Sequence, residues 1–135
     1  AAMNFRYLDS LADRISVIDA EYRYEFTNAA NISFHRSSAR SFIGRPLWSA
    51  IGEDVFEKHM KAKIDAALAG RSRTLFSRRV NGDVARLLAA TIDPITGDDS
   101  RLGRVIIPWF QIWASNVPLL EAAQRRGYER DQGLG

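Results

Sequence analysis

Residues 15–28 read ISVIDAEYRYEFTN, two short runs rich in β-forming side chains that flank a polar turn and end on an asparagine. Ile15, Val17 and Ile18 are β-branched, the shape that fits a pleated, half-buried surface. Beyond Asp19, the apolar Tyr22, Tyr24 and Phe26 alternate with Arg23, Glu25 and Thr27, the period of two that marks a strand. Asn28 then offers a side-chain oxygen to the unpaired N–H groups of a helix start. The stretch predicts strand, turn, strand and N-cap, a hairpin that hands the chain on to helices.

Upstream, Asn4 can cap a short lead-in helix in which Phe5, Leu8 and Leu11 share a face while Arg6, Asp9, Asp13 and Arg14 stay polar. Such a helix either covers a sheet surface of its own chain or pairs with a second copy. Downstream, residues 29–52 carry short apolar clusters broken by Ser37, Ser38, Gly44, Pro46 and Gly52, which predicts short helices and turns. Gly44 suits a left-handed helix end, and Pro46 fixes the backbone after it. Residues 54–69, DVFEKHMKAKIDAALA, form the strongest helix signal. Phe56, Met60, Ile64 and Leu68 recur every four residues, Asp54 suits the positive pole, Glu57 and Lys61 make a favourable pair, and Gly70 suits a left-handed C-cap. The Phe56, Met60, Ile64 face is expected to lie on a sheet.

Two further strands are expected at 73–80 and 84–92, joined by Asn81-Gly82-Asp83, a combination that tolerates the positive φ of a hairpin turn. Asp93-Pro94 is expected to end the second of these, residues 97–100 to loop, and residues 102–107 to form a fifth strand. An apolar run continues through Trp109, Phe110, Ile112 and Trp113. Ser115 or Asn116 would then cap a helix over 117–126, with Pro118 early, Gly127 at its end and a frayed polar tail from Glu129.

This order resembles the PAS domain, a family of small sensory modules, over about residues 4–107. The resemblance rests on Asp19 at the first turn, Asn28 after the second strand, FIGRPLW at 42–48, Ala69-Gly70, Asn81-Gly82, Asp93-Pro94 and Leu102-Gly103. It implies an α+β fold: a five-stranded antiparallel sheet, short helices and one longer helix packed on one face, with flanking terminal helices. The last strand would separate the two hairpins. On this plan residues 1–135 form one domain, with a lead-in at 4–13, a core at 14–107, an extension with a helix at 108–130 and a tail at 131–135. Ala1-Ala2 ahead of Met3 suggests an added leader before a natural start.

Three features depart from the family. Tyr22 stands where a glycine is common, so the turn is expected to be of a type that accepts an L-residue. Pro108 falls in the expected middle strand and implies a bulge or a change of strand partner. The family's Asp-Ile-Thr exit motif is missing.

Composition narrows the function. A chain of 135 residues buries roughly two thirds of its unfolded surface, enough for one core without staples. With no cysteine, disulfides, thiolate nucleophiles, cysteine-ligated metals and a cysteinyl–flavin adduct are excluded. No apolar run approaches the about 20 residues of a membrane-spanning helix, and a cytoplasmic protein is expected. The net charge of +3, from 19 basic and 16 acidic residues, gives little long-range pull on phosphate.

Candidates for chemistry are few. His59 would lie about 120° from the centre of the helix's apolar stripe, which disfavours it as a haem ligand. His35 reads as a surface histidine, and neither has carboxylates at metal-ligand spacing. Asp19 and Asp93 read as turn caps; as a buried general base, either would instead fit a small cone-shaped α+β enzyme. Arg71, Arg73, Arg78, Arg79 and Arg86 cluster on one hairpin, where a charged sheet edge is preferred over a nucleic-acid contact or a DNA-binding regulatory domain. No catalytic or metal-binding residue is assigned.

On the PAS plan, Phe26, Phe34, Trp48, Phe56, Met60, Ile64, Phe76, Leu88 and Ile106 surround the space between helices and sheet. They either fill it as core or line a site for a small apolar ligand, since Ala85, Ala89 and Ala90 remove volume from the sheet. Asn31 or Thr91 would supply polar contacts. The expected function is a non-catalytic sensory or interaction domain, homodimeric through its terminal helix or outer sheet face, that relays a core change to an output domain or regulatory protein.

Overall fold

The computed structural model describes residues 4–81, 84–96 and 102–112, with backbone alone for 76–81, 84–87, 96, 102 and 110–112. The predicted helix at 117–126 and the loop at 97–100 lie outside the described residues. Five strands form one antiparallel sheet: β1 Arg14–Asp19, β2 Tyr24–Thr27, β3 Arg73–Asn81, β4 Val84–Thr96 and β5 Leu102–Ile112. They lie in the order β2-β1-β5-β4-β3, so the last strand separates the two hairpins as expected. Between the hairpins run helix α1 (Ala29–Phe34), a single turn at Ala39–Ser41, helix α2 (Trp48–Ile51) and a longer helical run.

That run, here α3, begins as Glu53–Val55, widens into a π-turn at Phe56–Met60 and continues as Lys61–Leu68. In the π-turn the Lys61 N–H donates to the Phe56 carbonyl, one residue further back than in an α-helix. The expected regular helix is corrected in that detail. Phe56, Met60 and Ile64 are nonetheless all buried, on the face predicted to meet the sheet. They pack with Ile18, Tyr24, Phe42, Leu47, Leu75, Ala90, Ile92, Val105 and Ile107 in the main core. Gly70 and Gly44 take positive φ of 92° and 79° at the ends assigned to them.

A smaller apolar cluster covers the opposite face of the sheet. Phe5 and Leu8 lie on Ile15, Val17, Phe26, Ile95 and Ile106, which explains why β1 is buried on both sides rather than alternating. The lead-in is a 3-10 turn, Arg6–Ser10, rather than an α-helix, and Leu11 falls outside its apolar face with 46% exposure. A 3-10 turn brings Phe5 and Leu8 above one another at i and i+3, and the chain extends at Leu11. The lead-in thus packs on its own sheet.

The two prolines do less damage than expected, and geometry explains both. Asp93-Pro94 does not end β4, which pairs with β5 through Thr96. Beyond Ile92, β4 has lost β3 as a neighbour, so among the described residues no strand pairs with Pro94 on that side and its missing N–H costs little. Pro108 causes neither a bulge nor a change of partner: β5 runs on to Ile112 and pairs Ile15 with Pro108. The Ile15 N–H donates to Asn28 Oδ1 and its carbonyl accepts from the Asn28 N–H. Ile15 therefore turns its hydrogen-bonding groups away from β5, and the donor that Pro108 lacks falls on the β4 side. There the ladder is interrupted between Ala90–Trp109 and Asp93–Ile106 and resumes in unchanged register.

Tyr22 also departs from expectation. It adopts φ 64°, so the turn keeps its left-handed residue without glycine. The Asp19 carboxylate caps this turn, accepting from the Glu21 and Arg23 N–H groups at 2.9 and 3.0 Å. Among the described residues no helix is long and apolar enough to cross a membrane.

Candidate functional site

A cavity of about 140 Å³ lies between the inner face of the sheet and the short helices. Leu47, Ala50, Ile51, Val55, Met60, Ile107 and Trp109 make its apolar wall; Arg14, Ser16, Tyr24, Asn31 and His35 supply polar atoms. β1 explains two of them. Its even positions, Arg14, Ser16 and Ile18, face the helices while Ile15 and Val17 face outward, so the cation at the head of the strand enters the cavity.

Hydrogen bonds organise the polar side. Arg14 Nε donates to Asn31 Oδ1 at 3.0 Å, Asn31 Nδ2 donates to Thr27 Oγ1 at 2.8 Å, and Thr27 shares a 3.0 Å bond with Ser16 Oγ. The guanidinium lies over the Phe34 ring, 3.6 Å from its centroid, and 5.7 Å from that of Trp109. Neighbouring Asn28 is fully buried, and its amide is fully used. Its Oδ1 accepts from the Ile15 and Asn31 N–H groups, and its Nδ2 donates to the Leu8 and Asp13 carbonyls. The predicted N-cap is therefore also the joint between lead-in, β1 and α1. Asp9 adds a 2.8 Å bond from the lead-in to the Ala29 N–H.

Tyr24 is 3% exposed, its ring edge against Phe42 at 5.2 Å between centroids. Burial pushes its phenol well above the ordinary tyrosine range, against the opposing pull of the Arg14 charge. No hydrogen bond reaches its hydroxyl among the described residues.

The predicted lining is brought together only in part. Met60 lines the cavity, and Phe56, Ile64 and the partly buried Trp48 pack in the core beside it. Trp48 and Phe56 also border a cleft of about 310 Å³ with Glu53 and Glu57. Phe26 and Ile106 do not face the helices: both lie in the outer cluster under Phe5 and Leu8. For Phe26 the cause is a bulge. Val17 pairs with Phe26 but Ile18 with Tyr24, so Glu25 is an extra residue that reverses the alternation. For Ile106 it is a one-residue offset, since Val105 and Ile107 are the inward pair. Phe34 is 41% exposed and serves as a platform for Arg14. Leu88 is half-buried and outside both apolar clusters. The side chains of Phe76 and Ala85 lie outside the described residues.

Of the two polar candidates, Asn31 enters the cavity, whereas Thr91 lies between the inward Ala90 and Ile92 and so faces outward with Ala89. His35, read as a surface residue, lines the cavity with its ring against Phe34 and Phe42. His59 stays half-buried on the flank of α3 and does not line the cavity. Arg14 and Tyr24 were not among the predicted lining. The signal for Arg14 is its register with Ser16 and Ile18; Tyr24 looked equivalent to Phe26 until the bulge separated them.

The chain matches no protein-family model and no curated protein. Solved structures do match. The chain is similar to the PAS domain of BvgS from Bordetella pertussis, with a TM-score of 0.66 at 18% identity over 90% of this chain and 93% of that one. It is similar to a sensory box sensor histidine kinase from Vibrio cholerae, with a TM-score of 0.56 at 17% identity over 79% and 84% of the two chains. It is also similar to the PAS domain of nitrogen regulation protein NR(II) from Vibrio parahaemolyticus, with a TM-score of 0.56 at 17% identity over 83% and 100%. At such identities these likenesses speak for the fold.

Proposed function

This chain has the PAS fold, and on that premise we propose that it is a non-catalytic sensory domain of a cytoplasmic signalling protein. In this reading it holds a small, largely apolar ligand in the cavity beside Met60 and relays occupancy to its N-terminal lead-in. The observation that carries the proposal is the chain of hydrogen bonds from cavity to lead-in: Arg14 to Asn31, Asn31 to Asn28, and Asn28 to Leu8 and Asp13.

A ligand shifts a conformational equilibrium only by its differential affinity for two states. Here the two states differ in whether the lead-in stays docked on the outer sheet face. Occupancy of the cavity pulls on Arg14 and Asn31, and through Asn28 on the backbone that holds Phe5 and Leu8 in place. A released lead-in exposes Ile15, Val17, Phe26 and Ile106, an apolar face suited to a second copy or an output domain. That arrangement accounts for the homodimer expected from the sequence. The sensor histidine kinase from Vibrio cholerae among the structural neighbours supports the signalling role.

Native mass spectrometry of the purified chain, with hydrogen exchange at residues 5–11, tests this reading. A retained small molecule whose removal changes exchange in the lead-in is the expected result. Unchanged exchange with and without ligand refutes the relay.

A further inference from the structure

The cavity lining holds more hydrogen-bond donors than it has acceptors to match. Tyr24 lines it at 3% exposure, and its backbone groups are taken: its N–H donates to the Arg45 carbonyl and its carbonyl accepts from the Gly44 N–H. Its hydroxyl has no hydrogen-bond partner among the described residues. A buried phenol normally finds one, because an unbonded hydroxyl forfeits its bond to water. Burial holds the phenol above the ordinary tyrosine range, so it keeps its proton and remains a donor. A second surplus proton comes from Ser16 and Thr27, 8% and 3% exposed, which share one 3.0 Å bond while Thr27 Oγ1 also accepts from Asn31 Nδ2. One shared bond uses one of two hydroxyl protons, so whichever residue donates, the proton of the other lacks an acceptor among the described residues. Of the two, only Ser16 lines the cavity. Ser16 and Ile18 face inward from β1 and Ile18 pairs with Tyr24, which makes Ser16 and Tyr24 diagonal neighbours on one sheet face.

Resting on the reading of the cavity as a ligand site, we propose that the ligand is a small neutral carbonyl compound, a ketone, ester or lactone with an apolar body, whose oxygen accepts from the Tyr24 hydroxyl and whose body lies against Leu47, Met60 and Ile107. A carbonyl oxygen has two lone pairs and no proton, so it also offers an acceptor to Ser16. An alcohol or a primary amide would bring donors of its own and add to the surplus. An anion fits poorly, since neither hydroxyl carries a charge to offset a buried one. The Arg14 guanidinium is already engaged, by Asn31 and by the Phe34 ring. The volume of about 140 Å³ is close to that of an engineered apolar cavity that admits benzene, which limits the body to roughly six carbons. Because Ser16 joins Thr27 and Thr27 joins Asn31, an acceptor on Ser16 reaches the hydrogen-bond chain to the lead-in without passing through Arg14.

The test uses the intact chain and three probes of one skeleton: butyl methyl ketone, the alkene in which a methylene group replaces its carbonyl oxygen, and pentanoate. Each is titrated by NMR shifts of the cavity residues against the parent, Tyr24→Phe and Ser16→Ala. Tyr24→Phe, which keeps the ring against Phe42, should weaken the ketone about three- to tenfold, the net worth of one hydrogen bond, and leave the alkene nearly unchanged. Ser16→Ala should weaken the ketone in the same direction, and pentanoate should bind more weakly than the ketone. Without ligand, the melting temperature of Tyr24→Phe should equal or exceed the parent's, because the variant removes a hydroxyl that bonds nothing. A lower melting temperature means that the hydroxyl is bonded within the protein and overturns the proposal. A ketone indifferent to Tyr24→Phe, or pentanoate bound more tightly than the ketone, overturns the carbonyl assignment while the cavity stands as a ligand site. A ketone indifferent to Ser16→Ala overturns the part given to Ser16, and binding of none of the three probes overturns both the assignment and the site.

Discussion

The Tyr22 hydroxyl donates to Asp65 Oδ1 across 2.5 Å, tying the first hairpin turn to helix α3, which lies 43 residues further along the chain. The Tyr22 ring also meets Phe56 edge-on at 5.1 Å, and its carbonyl accepts from the Leu47 N–H at 2.7 Å. These contacts hold a non-glycine residue at φ 64°, a conformation that costs an L-residue on the order of 1 kcal/mol. The turn is thus secured by contacts made outside it.

Titration exposes that bond. The hydrogen bond to Asp65 pushes the Tyr22 phenol up to about 12 from 10.0, with burial and the charges of Asp65 and Glu57 acting the same way. The folded state favours the protonated phenol, so this stabilisation is complete below pH 10 and is lost as pH rises towards 12. Melting temperatures across that window should fall more steeply for the parent chain than for Tyr22→Phe. Parallel curves would show that the bond contributes nothing.

Asn28→Ala removes an N-cap and strands the Ile15 N–H and the Leu8 and Asp13 carbonyls in a buried joint. A loss of about 3 kcal/mol is expected in chemical denaturation. Asn28→Asp is no gentler at neutral pH, because its carboxylate faces those two carbonyls without a proton to donate. Relative to the parent, that variant should recover on acidification as the carboxyl group becomes a donor. A change below about 0.5 kcal/mol for Asn28→Ala would mean that water replaces the amide at no cost.

Packing on the two sheet faces gives a paired comparison. Ile64 is fully buried against the sheet, and Ile64→Ala should cost about 3 kcal/mol through lost burial and the cavity left behind. Leu11, although equally apolar, is 46% exposed, and Leu11→Ala should stay within about 0.5 kcal/mol. Denaturant midpoints at constant slope check both. A large effect at Leu11 would place it in a contact that the lead-in turn does not make here.

At the bulge, Glu25 pairs with Arg104 of β5, both side chains about one-third exposed. A double-mutant cycle with Glu25→Gln and Arg104→Met should give a coupling of about 1 kcal/mol that shrinks in high salt. No coupling would show that the bulge stands without its ion pair.

Local signals carried much of the fold into the sequence. Asp19 accepts from the N–H groups of its own turn, Asn28 caps α1, Gly44 and Gly70 take positive φ, and Phe56, Met60 and Ile64 share a buried face. Each of these depends on a few neighbouring residues, so spacing reveals it. The candidate site was less legible. Met60 and Asn31 were found, but Arg14 was grouped with the polar lead-in, His35 with the surface, and Phe26 and Ile106 with the wrong face.

Residue order by itself determined which segments pair with themselves: periods of two and four, caps and turn residues encode strands and helices locally. Only the tertiary structure decided which way those strands present their side chains. One extra residue at Glu25 sends Tyr24 inward and Phe26 outward, and the alignment of β5 with β1 and β4 decides that Ile107 rather than Ile106 meets the helices. The physical reason is the strand's period of two: a single-residue shift in pairing exchanges core face for outer face, and pairing is set between segments far apart in the chain.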